Sequence, residues 1–121
     1  MNKYANTDKD IHTRIYKFVI NCFKEVVQKI QRRPENIPII EQIASSLTSV
    51  GANDREADAA GSKKDFVAKY IIVRKEMHET QFWLSIIHDL NLVNQNLVTV
   101  QLAELDQLFK IVSTIIIRAK E

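Results

Sequence analysis

Glycine and proline are scarce in this chain, with two of each among 121 residues, too few for the turns of a many-stranded sheet. The single cysteine, Cys22, excludes an internal disulfide. No positively charged, apolar leader opens the chain, so a reducing cytoplasm is the expected location. No apolar run approaches the roughly 20 residues of a membrane span; Ile115-Ile116-Ile117 is bounded by Ser113-Thr114 and Arg118, and no membrane association is expected. The formal net charge of +2 is too small to argue for nucleic acid by itself. Also missing are G-x-x-x-x-G-K-S/T, G-x-G-x-x-G and H-E-x-x-H, which removes sequence support for phosphate cradling and zinc hydrolysis.

Helix formers are present throughout: Leu, Ile, Lys, Glu, Gln and Ala. The length fits one domain over 1–121 with a single core. Four helices are expected, over about 8–32, 38–60, 63–91 and 100–120. In the first, Ile11, Ile15, Phe18, Cys22, Val26 and Ile30 recur at steps of three and four and form one stripe. Tyr16, Ile20, Phe23 and Val27 widen it. Lys29, Arg32 and Arg33 are expected to offset the partial negative charge of its last turn, and Pro34 to stop it.

The second helix is expected to start near Pro38, since a first turn tolerates the missing N–H. Ile40, Ile43, Leu47 and Val50 give its buried stripe; after Gly51 the side chains shrink to Ala52, Ala57, Ala59 and Ala60, which suits close helix packing. Gly61 is expected in the left-handed conformation beyond the helix end, with Ser62 and Asp65 forming a capping box. In the third helix, Phe66, Tyr70, Val73, Met77, Thr80, Leu84 and Ile87 follow coiled-coil spacing. A polar connection over 92–99 leads to Thr99, the expected cap of a fourth helix with the stripe Leu102, Leu105, Phe109, Val112, Ile116 and Ala119. The expected fold is all-α, an antiparallel up-and-down four-helix bundle.

Charge is uneven along the chain. Residues 8–33 carry a balance of +4 and residues 34–61 one of −4; mutual attraction of the two segments is expected ahead of a basic ligand-binding face. Apolar circumference is in surplus. Ile71-Ile72-Val73 and Ile115-Ile116-Ile117 each span roughly 200° of helix at 100° per residue. On the third helix a second face runs through Lys69, Ile72, Glu76, Glu79, Trp83, Ile86 and Leu90, mixing apolar anchors with ions as protein interfaces do. Self-association follows as an expectation.

Three strings carry a resemblance: Ser49-Val50-Gly51-Ala52-Asn53 with Arg55-Glu56-Ala57, then Ser62-Lys63-Lys64-Asp65-Phe66, then Lys75-Glu76, Glu79-Thr80 and Phe82-Trp83-Leu84. Over residues 11–119 the chain resembles the bacterial four-helix bundle family first met as open reading frames in intervening sequences of large-subunit ribosomal RNA genes. That resemblance implies a toroidal homopentamer and no assigned molecular activity. A related branch, the accessory proteins of diversity-generating retroelements, implies association with a reverse transcriptase and nucleic acid. Asp54 stands where the pattern has an aromatic residue, a change expected to weaken a local packing contact.

Catalytic chemistry finds little support. A di-iron bundle needs Glu-x-x-His on two helices, and neither His78 nor His88 has that glutamate. His12, His78 and His88 are expected at helix surfaces or interfaces, and Cys22 as a small apolar core group. No catalytic residue, metal ligand or cofactor is expected. The charges Arg55, Glu56, Lys63, Lys64, Asp65, Glu76 and Glu79 admit three readings: a solvated face, an ion-pair network between helices or subunits, or a polar site. The network is preferred, giving Arg55, Glu56, Lys63, Lys64, Lys69, Ile72, Glu76, Glu79 and Trp83 as candidate interface residues. The expected function is a non-enzymatic homo-oligomeric scaffold or interaction protein; the alternative is a nucleic-acid or ribonucleoprotein accessory factor.

Overall fold

The computed structural model describes residues 9–121. Four α-helices carry the fold: α1 (Lys9–Glu25), α2 (Ile37–Asp58), α3 (Lys63–Asp89) and α4 (Gln95–Lys120). Among the described residues there is no strand. Each helix packs against its sequence neighbours, and α4 closes back on α1. Cross-helix pairs run in opposite senses. His12 meets Asp54 while Val19 lies beside Gly51, and Tyr70 meets Asp54 while Thr80 meets Ser46. These registers give the antiparallel order of an up-and-down bundle.

The core follows the predicted stripes of α1 and α3 residue for residue. Ile11, Ile15, Phe18 and Cys22 are buried from α1, with Val26 and Ile30 just beyond it, and Phe66, Tyr70, Val73, Met77, Thr80, Leu84 and Ile87 from α3. Thr80 stays in that seam because its hydroxyl has polar partners, Ser46 Oγ at 2.8 Å and the Glu76 carbonyl at 2.9 Å.

The ends of the helices depart from expectation. The start at Asp8 lies outside the described residues. The α-helix ends at Glu25 rather than near Arg32, and Val27–Lys29 form a tighter 3-10 turn. Val26 and Val27 are β-branched, weak helix formers, and the break lets both be buried side by side. Pro34 therefore stops nothing, and the basic residue in the last turn of α1 is Lys24. Lys29 instead pairs with Glu25 at 3.0 Å, and Arg32 and Arg33 lie exposed in the following loop.

Pro38 sits in the first turn of α2, as its missing N–H permits. Gly61 is not left-handed; among the described residues the one positive φ belongs to Asn91, at 54°. There the Asn91 N–H donates to the His88 carbonyl and the Leu92 N–H to the Ile87 carbonyl, the paired bonds that close a helix C-terminus through a left-handed residue. Ser62 does cap α3, its hydroxyl accepting from the Asp65 N–H at 3.1 Å.

The fourth helix starts earlier than Thr99. Asn94 caps it by accepting the Asn96 N–H at 2.8 Å, and the Thr99 hydroxyl bonds the Gln95 carbonyl inside the helix. The extra turn adds Val98 to the interior, and Gln101 is buried after it. The buried stripe runs through Gln101 and Leu108 in place of the expected Leu102 and Phe109; both of these, like Ala119, are half-buried, with the Phe109 ring edge-on to His78. Ala52 and Ala59 face solvent; Ala57 of α2 and Ala60, just beyond its end, are buried.

Candidate functional site

Two polar assemblies stand out, one inside the bundle and one on its outer surface. The interior one centres on Asp54, only 4% exposed although it is a carboxylate. Asp54 extends the α2 stripe Ile43, Leu47 and Val50 by a further helical step, so α2 aims it at the core. The Tyr70 hydroxyl of α3 donates to Asp54 Oδ1 at 2.7 Å, and His12 Nδ1 of α1 meets the same oxygen at 2.9 Å. The other ring nitrogen, His12 Nε2, lies 3.4 Å from Asp58 Oδ1. A buried carboxylate is tolerated when donors replace its water, and here α1 and α3 supply the partners for an acceptor held by α2. At position 54, where the pattern has an aromatic residue, the polar contacts of Asp54 tie α1, α2 and α3 together.

The chemistry open to these groups is limited. Nδ1 of His12 lies within hydrogen-bond reach of Asp54 Oδ1, whereas Nε2 only approaches the Asp58 carboxylate. Burial, then the negative charge and hydrogen bond of Asp54, push the Tyr70 phenol well above its ordinary range, so it stays protonated. Burial likewise pushes the Cys22 thiol far up, and its Sγ lies 3.6 Å from Gln101 Oε1. Beside Asp54 a cavity of about 310 Å³ opens between α1 and α2, bounded by Tyr16, Val19, Thr48, Gly51 and Arg55 together with His12. A Cβ on Gly51 would meet Val19 Cγ2 at 3.6 Å, ordinary contact, so close helix approach does not require glycine there. Among the described residues no group of three His, Cys, Asp or Glu side chains is placed to hold a metal ion.

The surface assembly collects several of the candidate interface residues. Lys69 of α3 pairs with Glu56 of α2 at 3.0 Å, and this hydrogen bond and charge hold the Lys69 ammonium above its ordinary range. Glu76 and Glu79 lie one turn apart on α3. Partial burial, reinforced by the hydrogen bond and charge of Glu79, raises the Glu76 carboxyl. Trp83 continues this face half-buried, its ring 4.9 Å from that of Phe82 in an edge contact. Ile72, at 37% exposed, lies between the ion pair and the aromatic rings.

The remaining candidates are elsewhere. Lys63 reaches the Glu121 carbonyl at 2.9 Å, Lys64 is exposed at the start of α3, and Arg55 borders the cavity beside Asp54. The predicted attraction between the basic and acidic segments takes a different form. Arg14 grips Glu104 of α4 with two hydrogen bonds, at 3.1 and 2.6 Å, and the α1 to α2 contacts fall to His12. An aspartate on an otherwise aliphatic helical stripe is the sequence signal that would have found Asp54; nothing in the spacing singles out His12 as its partner.

Similarity to known proteins agrees with this geometry. No curated protein matches the chain. A crystal structure of a protein of unknown function from the S23 ribosomal protein family, from Bacteroides thetaiotaomicron VPI-5482, superposes with a TM-score of 0.74 at 28% identity, covering 88% of this chain and 97% of that one. Neither that protein nor the matching family model names a catalytic activity. The model described as 23S rRNA-intervening sequence protein matches residues 7–114, and the chain accordingly belongs to that family.

Proposed function

We propose that the chain is a non-enzymatic, homo-oligomeric helical-bundle protein of the cytoplasm, acting as a scaffold or interaction module, in which the outer face of α3 meets a second copy. The apolar content of that face carries the reading: Ile72 is 37%, Phe82 56% and Leu90 59% exposed, with Trp83 half-buried among them. Contiguous apolar and aromatic surface beside ions is the composition of an interface core and rim. The pair Lys69 and Glu56 borders this surface and would fix its register.

The family likeness supports a ring of five. Light scattering at micromolar concentration tests it, with a mass near five times 14.0 kDa expected. A monomeric mass overturns the reading. Replacing Glu76 by Lys is expected to lower the mass, and an unchanged assembly would remove this face from the interface.

A second reading, a nucleic-acid or ribonucleoprotein accessory factor of the reverse-transcriptase partner type, is favoured by the exposed Lys17, Lys24, Arg32 and Arg33 on and after α1. Contacts to several phosphates would make binding fall steeply with salt. An electrophoretic shift that is absent even at low salt removes this reading.

A further inference from the structure

The same face of α3 contains a hollow of about 350 Å³, bounded by Gln42 of α2 and by His78, Glu79, Phe82 and Trp83 of α3. Its volume falls at the small end of ligand pockets. Its walls are an indole, a phenyl ring and an imidazole, and its polar groups are a carboxylate and an amide. Aromatic faces beside a carboxylate form a receptor for an organic cation, because the ring quadrupole and the anion attract positive charge together. No intramolecular ion pair reaches Glu79 among the described residues, although Lys75 is only one turn away on α3. Partial burial and then the neighbouring Glu79 raise the Glu76 carboxyl, with only the weaker opposing influence of Lys75.

We propose that this hollow receives a Lys side chain projecting from α1 of a second copy of the chain, with its ammonium on the Glu79 carboxylate and its stem along Phe82 and Trp83. Two residues of α1 fit the role. Lys17 and Lys24 are exposed and without an ion pair among the described residues. Spaced seven residues apart, they fall on one side of the helix, about 10.5 Å from each other along its axis. Tyr16, 57% exposed beside Lys17, would add an aromatic edge to the same contact. Charge complementarity is thus available within the chain itself: an acidic, aromatic receptor on α3 and a basic projection on α1. A receptor and projection on different faces make a head-to-tail contact, which closes into a ring when the rotation allows.

The inference rests on the homo-oligomer reading, and one set of measurements separates the two. Trp83 is the only tryptophan in the chain, so its emission reports directly on the hollow. The full chain is diluted while its mass and Trp83 emission are followed, for the wild type, for Glu79→Gln, for Glu79→Lys, for Lys17→Glu combined with Lys24→Glu, and for these three reversals in one chain. These side chains are exposed, and unchanged helical circular dichroism confirms folding of each variant. The expected result is association about tenfold weaker in Glu79→Gln, the loss of one charge-assisted aromatic contact. The two charge-reversed forms should each fail to self-associate, whereas a chain combining Glu79→Lys with Lys17→Glu and Lys24→Glu should associate again, because every head-to-tail contact of a five-membered ring then pairs opposite charges, with Trp83 emission returning to its wild-type value. A monomeric wild type overturns both readings. An oligomeric wild type whose affinity and Trp83 emission are unmoved by the Glu79 substitutions, or a combined charge-swapped chain that does not recover association, overturns the receptor while leaving self-association standing.

Discussion

The Tyr70 hydroxyl donates to Asp54 Oδ1 at 2.7 Å inside the bundle, joining α3 to α2 at a point where the carboxylate is nearly sealed from water. His12 approaches the same oxygen from α1, so the first three helices share one acceptor. Such a node fixes register more sharply than apolar packing, because a slip of one residue would leave a buried charge without donors.

Tyr70→Phe removes one of these donors and keeps the ring. The expected cost is about 1.5–3 kcal/mol, the range for hydrogen bonds to charged groups. Urea unfolding should show a lower midpoint with an unchanged slope. In the Asp54→Asn background the acceptor is no longer a charge, so Tyr70→Phe should cost less; equal costs in both backgrounds would mean that the pair is not coupled.

Gly51→Ala is expected to stabilise the protein. Glycine in a helix interior costs about 1 kcal/mol relative to alanine, and the new methyl group would sit 3.6 Å from Val19 Cγ2 in ordinary contact. Thermal unfolding should move upward. A drop would mean that the space between α1 and α2 at Gly51 must stay open.

Glu76 gives a pH dependence whose sign is determined by its environment. Its carboxyl is raised in the folded protein above the ordinary 4.5, so the fold favours the protonated form. This contribution is fully present below the unfolded value and is lost as pH rises through the folded one. Glu76→Gln should remove that loss and be more stable than wild type at neutral pH, by about 0.3 kcal/mol for a like-charge pair on a helix surface. The two proteins should converge at low pH in denaturant titrations.

Cys22 should be inert in the folded state. Burial pushes its thiol well above the ordinary range, and the thiolate is the reactive form. Ellman's reagent at pH 8 is expected to leave native protein unmodified and to react with one thiol per chain in urea. Rapid reaction without denaturant would show that the α1 to α4 seam near Gln101 opens.

Periodicity alone made the core of α1 and α3 legible. Ile11 through Cys22 and Phe66 through Ile87 are buried at the predicted positions, because a step of three or four residues returns a side chain to the same side of any α-helix. The all-helical class and the four-helix order follow from the same regularity, and so does the surplus apolar surface of α3. Local chemistry was readable where its partner is close in sequence, as in the Ser62 cap.

Interactions between distant residues were not readable. Asp54 looked like a misplaced residue until α1 and α3 brought His12 and Tyr70 to it, from 42 and 16 positions away in the chain. Arg14 found Glu104 across 90 residues instead of the nearer acidic segment. The left-handed position fell to Asn91 and not to Gly61, since the bonds closing α3 required it there. Sequence by itself determined which side of each helix is apolar, a property of spacing along one chain. The folded arrangement decided which polar groups meet, because that depends on how separate helices are rotated and set against one another.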